Sequence, residues 1–65
     1  MDRSGEERRR RILDLVRAHG RCDVVTIAAH TDVVVETVRR DLRVLEERGL
    51  IRRAHGAAEP IESGM

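Results

Sequence analysis

The sequence contains no phenylalanine, tyrosine or tryptophan, and no lysine. Without aromatics, a core must be built from Leu, Ile, Val and Ala. The same lack removes the stacking platforms on which most single-strand nucleic-acid binders rely. Cys22 is the one cysteine, which excludes an internal disulfide framework and a cysteine zinc cluster and agrees with a reducing cytosol. No apolar run approaches the roughly 18 residues of a membrane span. The charged N-terminus lacks the apolar segment of a secretory signal, so a cytoplasmic protein with no membrane partner is expected. With 65 residues the chain forms one domain, near the lower limit for folding alone and too small for a large enzyme cleft.

What is present is globular: 40% of residues are hydrophobic and 38% charged, which is not the composition of a disordered segment. All 13 basic residues are arginine. Genomic codon bias suffices to explain this, so it is no argument for guanine readout. The net charge is only +1, but it is unevenly spread. Residues 1–21 carry seven arginines against four acids, and residues 39–56 carry six against three. Residues 22–38 between them hold three acids and no arginine. Two basic blocks around an acidic one suit a polyanionic partner, and a merely solvated mixed surface is the plain alternative.

Helical signals come first. Ser4 and Glu7 have capping-box spacing, Ile12, Leu15, Val16 and then Ala18 or His19 recur at helical intervals, and Gly20 is a stop signal. A first helix is expected over about residues 5–19, with Glu6–Arg10 and Glu7–Arg11 as i,i+4 pairs. Arg21-Cys22 has room for one short strand. Asp23 is an N-cap candidate for a second helix over about 24–31, with Val24, Ile27 and Ala28 on one face. Asp32 suits a tight left-handed turn. A third helix is expected over about 34–48, with the apolar stripe Val38, Leu42 and Leu45, ending at Gly49. Two short runs around His55-Gly56 then read as a hairpin, with Pro60 at its edge or end.

On a helical wheel Leu42 and Leu45 lie within about 40° of Val38, whereas Glu36, Arg40, Arg43 and Glu47 fall between about 140° and 200° away. Arg39 sits at the flank. A helix–turn–helix whose second helix carries an arginine face fits the B-DNA major groove.

The block Thr37-Val-Arg-Arg-Asp-Leu42, followed by Leu45-Glu-Glu-Arg-Gly-Leu50 and His55-Gly56, resembles the N-terminal winged helix-turn-helix of DeoR-type transcriptional regulators. Arg9–Val16 and His19-Gly20-Arg21 resemble that family's first helix and the turn after it. The resemblance covers about residues 4–59. It implies a mainly α fold with a small β-hairpin: three helices, a short strand and a two-stranded wing. The helix-turn-helix would occupy about 22–41, the recognition helix about 34–48 and the wing about 50–61. Residues 60–65 would be a disordered tail or the start of a linker.

The function implied is operator reading by a bacterial transcription regulator, a repressor of a sugar or nucleoside operon, bound to duplex DNA as a homodimer at the nucleoid. Thr37, Arg39, Arg40 and Arg43 would meet DNA from the recognition helix, and Arg52, Arg53 and His55 from the wing. Family members also carry a C-terminal domain that senses a phosphorylated sugar and oligomerises. Nothing in these residues corresponds to it, so any effector would act through a domain outside this stretch. Val34 stands where the family has a capping Ser or Thr, Asp32 where it has Gly, and Thr31 where it has Leu. The start of the recognition helix is therefore expected to be weakly held, and Asp32 could cap an earlier start.

Arginine chemistry gives these positions distinct roles. Arg40 and Arg43 are placed to bond guanine O6 and N7, Arg39 to hold phosphate, and Thr37 to bond phosphate near the helix N-terminus. The plain alternative for Arg40 and Arg43 is a face neutralised by Glu36 and Glu47. Arg52 and Arg53 alternate across a strand, so one of them faces DNA. His55-Gly56 is a turn first and a wing-tip contact second. Asp41, at the flank of the apolar stripe, reads as structural and paired with an arginine. One or two of Arg8–Arg11 could reach a DNA backbone.

His19 and Cys22 have H-x-x-C spacing but lack two further ligands, so no metal or other cofactor is expected. No nucleophile–base pair or phosphate-cradling glycine loop is visible, so no enzyme is expected. The rival readings are a winged-helix protein–protein module and a non-specific nucleic-acid binder.

Overall fold

The computed structural model describes residues 3–61. Its elements are α1 (Arg3–His19), β1 (Cys22–Asp23), α2 (Val24–Thr31), α3 (Val35–Glu47), β2 (Ile51–Ala54) and β3 (Ala57–Pro60). Three helices pack on one another and on a three-stranded antiparallel sheet of order β1-β3-β2. This is the expected winged helix-turn-helix, mainly α with a small hairpin. Of the stretch 60–65, Pro60 is the last residue of β3 and pairs with Ile51; residues 62–65 lie outside the described part.

α1 starts at Arg3, so Ser4 lies inside its first turn and is not the N-cap that the capping-box spacing predicts. The helix buries Ile12 and Val16 completely. Leu13 and Leu15 pack on the core at its edge, whereas Ala18 and His19 are exposed and do not extend the apolar stripe. At the C-terminus Gly20 takes φ 83°, and its N–H donates to the Val16 carbonyl at 2.8 Å.

β1 is displaced by one residue from the expected Arg21-Cys22 and pairs with β3 through Cys22–Ala58 and Asp23–Ala57. Asp23 occupies the N-cap position of α2, with extended backbone, but makes no side-chain cap bond; its carboxylate accepts from the Thr26 hydroxyl instead. That hydroxyl holds the Asp23 carboxyl below its ordinary range. Asp32 ends α2 in the left-handed region (φ 58°, ψ 41°), with its N–H bonded to the Ala28 carbonyl. An L-residue with a short polar side chain tolerates this geometry better than most. Thr31, where an apolar residue would pack under the turn, donates its hydroxyl to the Ile27 carbonyl at 2.7 Å. The polar atom is thereby satisfied within its own helix.

α3 does not start early. Val34 is its N-cap residue, extended at φ −73° and ψ 155°, with no side-chain cap bond and 67% of its surface exposed. The first-turn N–H groups thus lack the acceptor that Ser or Thr would supply, a deficit worth about 0.5–2 kcal/mol. Val34→Ser is expected to raise Tm by about 4–8 °C, taking ~1 kcal/mol for the cap. Thermal unfolding followed by circular dichroism checks this, and an unchanged or lower Tm refutes it. The other end of α3 is well closed. Gly49 (φ 76°) donates to Glu46 at 2.9 Å and Leu50 to Leu45 at 3.0 Å, the paired bonds of a Schellman motif.

The core brings Ile12 and Val16 together with Ile27, Val38, Leu42, Leu45, Ile51 and Ala58. The hairpin turns on His55 (φ 51°) and Gly56 (φ 73°), a two-residue loop with both residues left-handed, whose twist matches antiparallel strands. The Val24 N–H donates to the Gly56 carbonyl at 3.0 Å, which ties the turn to the start of α2.

Glu6 does not make the expected pair with Arg10. Its carboxylate accepts from Arg48, at 2.7 and 3.1 Å, and from Arg9 at 2.7 Å, joining the start of α1 to the end of α3. These guanidiniums, Arg48 foremost, lower the Glu6 carboxyl from 4.5 to about 2. A carboxyl depressed on folding contributes stability above its unfolded value and loses it as pH falls through the folded one. Tm should therefore decline from pH 5 to pH 2 more steeply in the native sequence than in Glu6→Gln. Parallel declines would show that the triad contributes nothing.

Candidate nucleic-acid interface

Arginine is plentiful here, so the useful distinction is between arginines that are already neutralised and those that are not. Asp41 is fully buried, and it is the one buried charged side chain among the described residues. It sits on α3 beside Leu42 and receives Arg8 in a two-pronged contact, Nε to Oδ2 and Nη2 to Oδ1 (2.9 Å). Arg9 adds Nη1 to Oδ1 at 3.1 Å. The reading of Asp41 as structural is thus correct, and its partners come from the arginine run of α1. Two of the four arginines in that run are thus fastened to Asp41, and Arg10 and Arg11 remain exposed. Arg9 is raised above its ordinary pKa, chiefly by Glu6.

The wing arginines are partly neutralised as well. Arg53 points toward α3, and its Nε donates to Glu46 Oε1 at 2.9 Å. Arg52 lies beside its cross-strand neighbour Glu59, with Nη2 to Oε1 at 3.4 Å, and Arg21 approaches the other Glu59 oxygen at 3.5 Å. The expected alternation of Arg52 and Arg53 is therefore present, with Arg53 on the side of the third helix. His55 is exposed at the tip of the turn.

The outward face of α3 differs from the wing, although Arg10, Arg11 and Arg17 on α1 are likewise exposed and without a carboxylate among the described residues. Arg39, Arg40 and Arg43 are exposed, and none has an acidic partner among the described residues. Glu36 and Glu47 do not neutralise them. A shallow depression is lined by Glu36, Arg39, Arg40, Arg43 and Arg53. Arg39 and Arg53 also border the cleft between α3 and the hairpin, whose far wall is Ala54, His55 and Gly56. The structure therefore brings Arg39, Arg40, Arg43, Arg53 and His55 to one side. Thr37 is half-buried on the first turn of the same helix, and Arg52 stands on the other face of the wing.

Pairing of Arg8 and Arg9 with Asp41, and of Arg48 with Glu6, was not foreseeable from local spacing. The partners are 32 to 42 positions apart.

Among the described residues no group of three or more His, Cys, Asp or Glu is arranged to hold a metal ion. His19 and His30 meet edge to face with centroids 5.9 Å apart. Cys22 is buried, which pushes its thiol pKa up and keeps it protonated. No described helix is long and apolar enough to cross a membrane.

A helix with an exposed arginine face, preceded by a tight turn and flanked by a two-stranded wing, has the form of the winged helix-turn-helix DNA-binding domains of transcription regulators. The profile of the DeoR-like helix-turn-helix domain matches residues 8–64, and the chain belongs to that family. It is similar to the HTH-type transcriptional regulator GlpR of Haloferax volcanii, at 47% identity over 57 residues, covering 88% of this chain and 22% of the relative. The L-fucose operon activator of Haemophilus influenzae is 47% identical over 47 residues, 72% of this chain and 19% of that protein. The glycerol-3-phosphate regulon repressor of the same organism is 43% identical over 51 residues, 78% of this chain and 20% of that protein. The chain thus spans about a fifth of the length of these relatives. No solved structure matches.

Proposed function

We propose that residues 4–59 are the operator-reading unit of a cytoplasmic transcription regulator and that α3 enters the major groove of duplex DNA. One observation carries this reading. Arg8, Arg9, Arg21, Arg48, Arg52 and Arg53 each meet a carboxylate, whereas Arg39, Arg40 and Arg43 meet none among the described residues and stand together on the exposed face of the second helix of the helix-turn-helix; the other unpaired arginines, Arg10, Arg11 and Arg17, lie on α1. A net charge of +1 therefore conceals a cluster of three unpaired arginines on one face of α3.

In this arrangement Arg40 and Arg43 bond guanine edges, Arg39 and Thr37 hold phosphate, and Arg53 and His55 reach the backbone from the wing. Arg52 faces away from α3 and contacts DNA only where the duplex curves around the wing. Most of the affinity comes from counterion release, and a few base contacts supply specificity. Two copies on a two-fold symmetric operator would place two recognition helices about one helical turn apart. Relatives named for L-fucose and glycerol-3-phosphate regulation favour an operon of sugar or polyol metabolism. Repression is the outcome where the occupied operator overlaps a promoter, and the glycerol-3-phosphate relative is named as a repressor. A phosphorylated-sugar effector would act through a further domain.

Selection of the 65-residue chain on random duplex DNA at low salt, followed by salt titration of the winners, tests the proposal. Enrichment of a roughly palindromic motif, with affinity falling steeply as salt rises, supports it. Equal, salt-sensitive binding to every duplex would reduce the domain to a phosphate-gripping module. No binding to any duplex overturns the reading in favour of a protein–protein role.

A further inference from the structure

Glu36 is the one acidic residue in the arginine-lined depression of α3. It lies in the first turn of the helix, exposed, with no ion-pair partner among the described residues. Glu followed by Arg four positions on is the favourable order for an intrahelical pair, yet Glu36 and Arg40 do not pair, and both project from the same face. On a surface that must approach phosphates, an uncompensated carboxylate weakens binding unless it meets a donor there.

The major groove offers such a donor on two bases. Cytosine presents N4–H2, and adenine presents N6–H2 beside its own N7 acceptor. A carboxylate near adenine is repelled by N7 on one side and by the O4 of the paired thymine on the other. At cytosine an acceptor, the guanine O6, stands on one side only. The residues at the start of a recognition helix are also the ones that meet base edges.

We propose that Glu36 is a specificity-determining residue that accepts a hydrogen bond from cytosine N4, within two base pairs of the guanine read by Arg40. This rests on the proposed operator reading. Residues 36 and 40 are separated by about 6 Å of helix rise, close to two base-pair steps at ~3.4 Å each, so the two contacts fall within two base pairs of one another. The carboxylate also rejects thymine O4 and guanine O6 at that position, so it excludes wrong sequences as well as binding the right one.

The test runs the random-duplex selection with the native chain, Glu36→Gln and Glu36→Ala in parallel, and measures affinity for the native winner and for a scrambled duplex. The native motif should carry a cytosine that Glu36→Gln exchanges for adenine, since an amide bonds adenine N6 and N7, and at which Glu36→Ala shows no preference. Changing that C·G pair to T·A should weaken the native chain about tenfold and Glu36→Ala less than twofold. Both variants should bind the scrambled duplex two- to fivefold more tightly than the native chain. A carboxylate that merely supported the helix start would move specific and scrambled binding in the same direction. Identical motifs from all three proteins overturn the assignment while leaving operator reading intact. Absence of any native motif overturns both.

Discussion

Asp41→Ala is expected to lower stability by about 3 kcal/mol, the typical result of removing one partner from a buried, hydrogen-bonded charge set. The side chain is fully buried and is held by two guanidiniums, of which Arg9 is only 12% exposed. Deleting the carboxylate removes the buried counter-charge that both guanidiniums share and leaves Arg9 with only its outward pair to Glu6. The Nε of Arg9 is already buried without a partner. A domain of this size holds little reserve, so Tm should fall by at least 12 °C and much of the population should be unfolded at 37 °C. Urea or thermal denaturation followed by circular dichroism measures this. Asp41→Asn, which keeps the shape and one acceptor, should lose less. Replacing all three together (Arg8→Met, Arg9→Met and Asp41→Leu) should recover most of the loss, because apolar substitutes for a buried ion set are often neutral or better. Retention of full stability in Asp41→Ala would show that water reaches the site and that the clamp is incidental.

The second large effect is on DNA. Arg40→Ala or Arg43→Ala should each reduce affinity for the selected operator by about 5- to 100-fold, the range spanned by the loss of a bidentate guanine contact, and should relax preference at one operator position. Arg39→Ala should behave differently. It should weaken all duplexes alike and reduce the slope of log affinity against log salt by about 0.9. Fluorescence anisotropy with labelled operator and scrambled duplex at several salt concentrations separates the two patterns. If Arg40→Ala and Arg43→Ala lower operator and scrambled binding equally, the helix grips the backbone and does not read bases.

How far these residues could be placed in advance depended on the range of the forces that hold them. α2, the turn and α3 are set by neighbours: Asp23 at the N-cap position, Asp32 in a left-handed conformation, and Val38, Leu42 and Leu45 on one stripe. Each of these was legible. The start of α1 was not, because the Ser4–Glu7 pattern is a local signal and the helix continues two residues beyond the expected start. β1 was misplaced by one residue because its partner β3 lies more than 30 positions away, and no local pattern fixes that register. The distribution of charge was the least legible part. Composition presents 13 arginines as equivalent, and only the fold determines that Asp41, Glu6, Glu46 and Glu59 neutralise some of them and leave the α3 face bare. Arg10, Arg11 and Arg17 on α1 are equally unpaired among the described residues, so the candidate site is set apart by pairing and by its place on the second helix of the helix-turn-helix together.

The bond from the Val24 N–H to the Gly56 carbonyl has a consequence for how the domain meets DNA. The tip of the wing cannot swing away without releasing the first turn of α2, which is seated on the same core as α3. Wing and third helix are thereby coupled through one core, and on the proposed reading they reach DNA together. Association should proceed in a single step at the rate of oriented encounter, with no slower phase for ordering the hairpin, and the Val24 amide should exchange its hydrogen no faster in the unbound domain than in the complex.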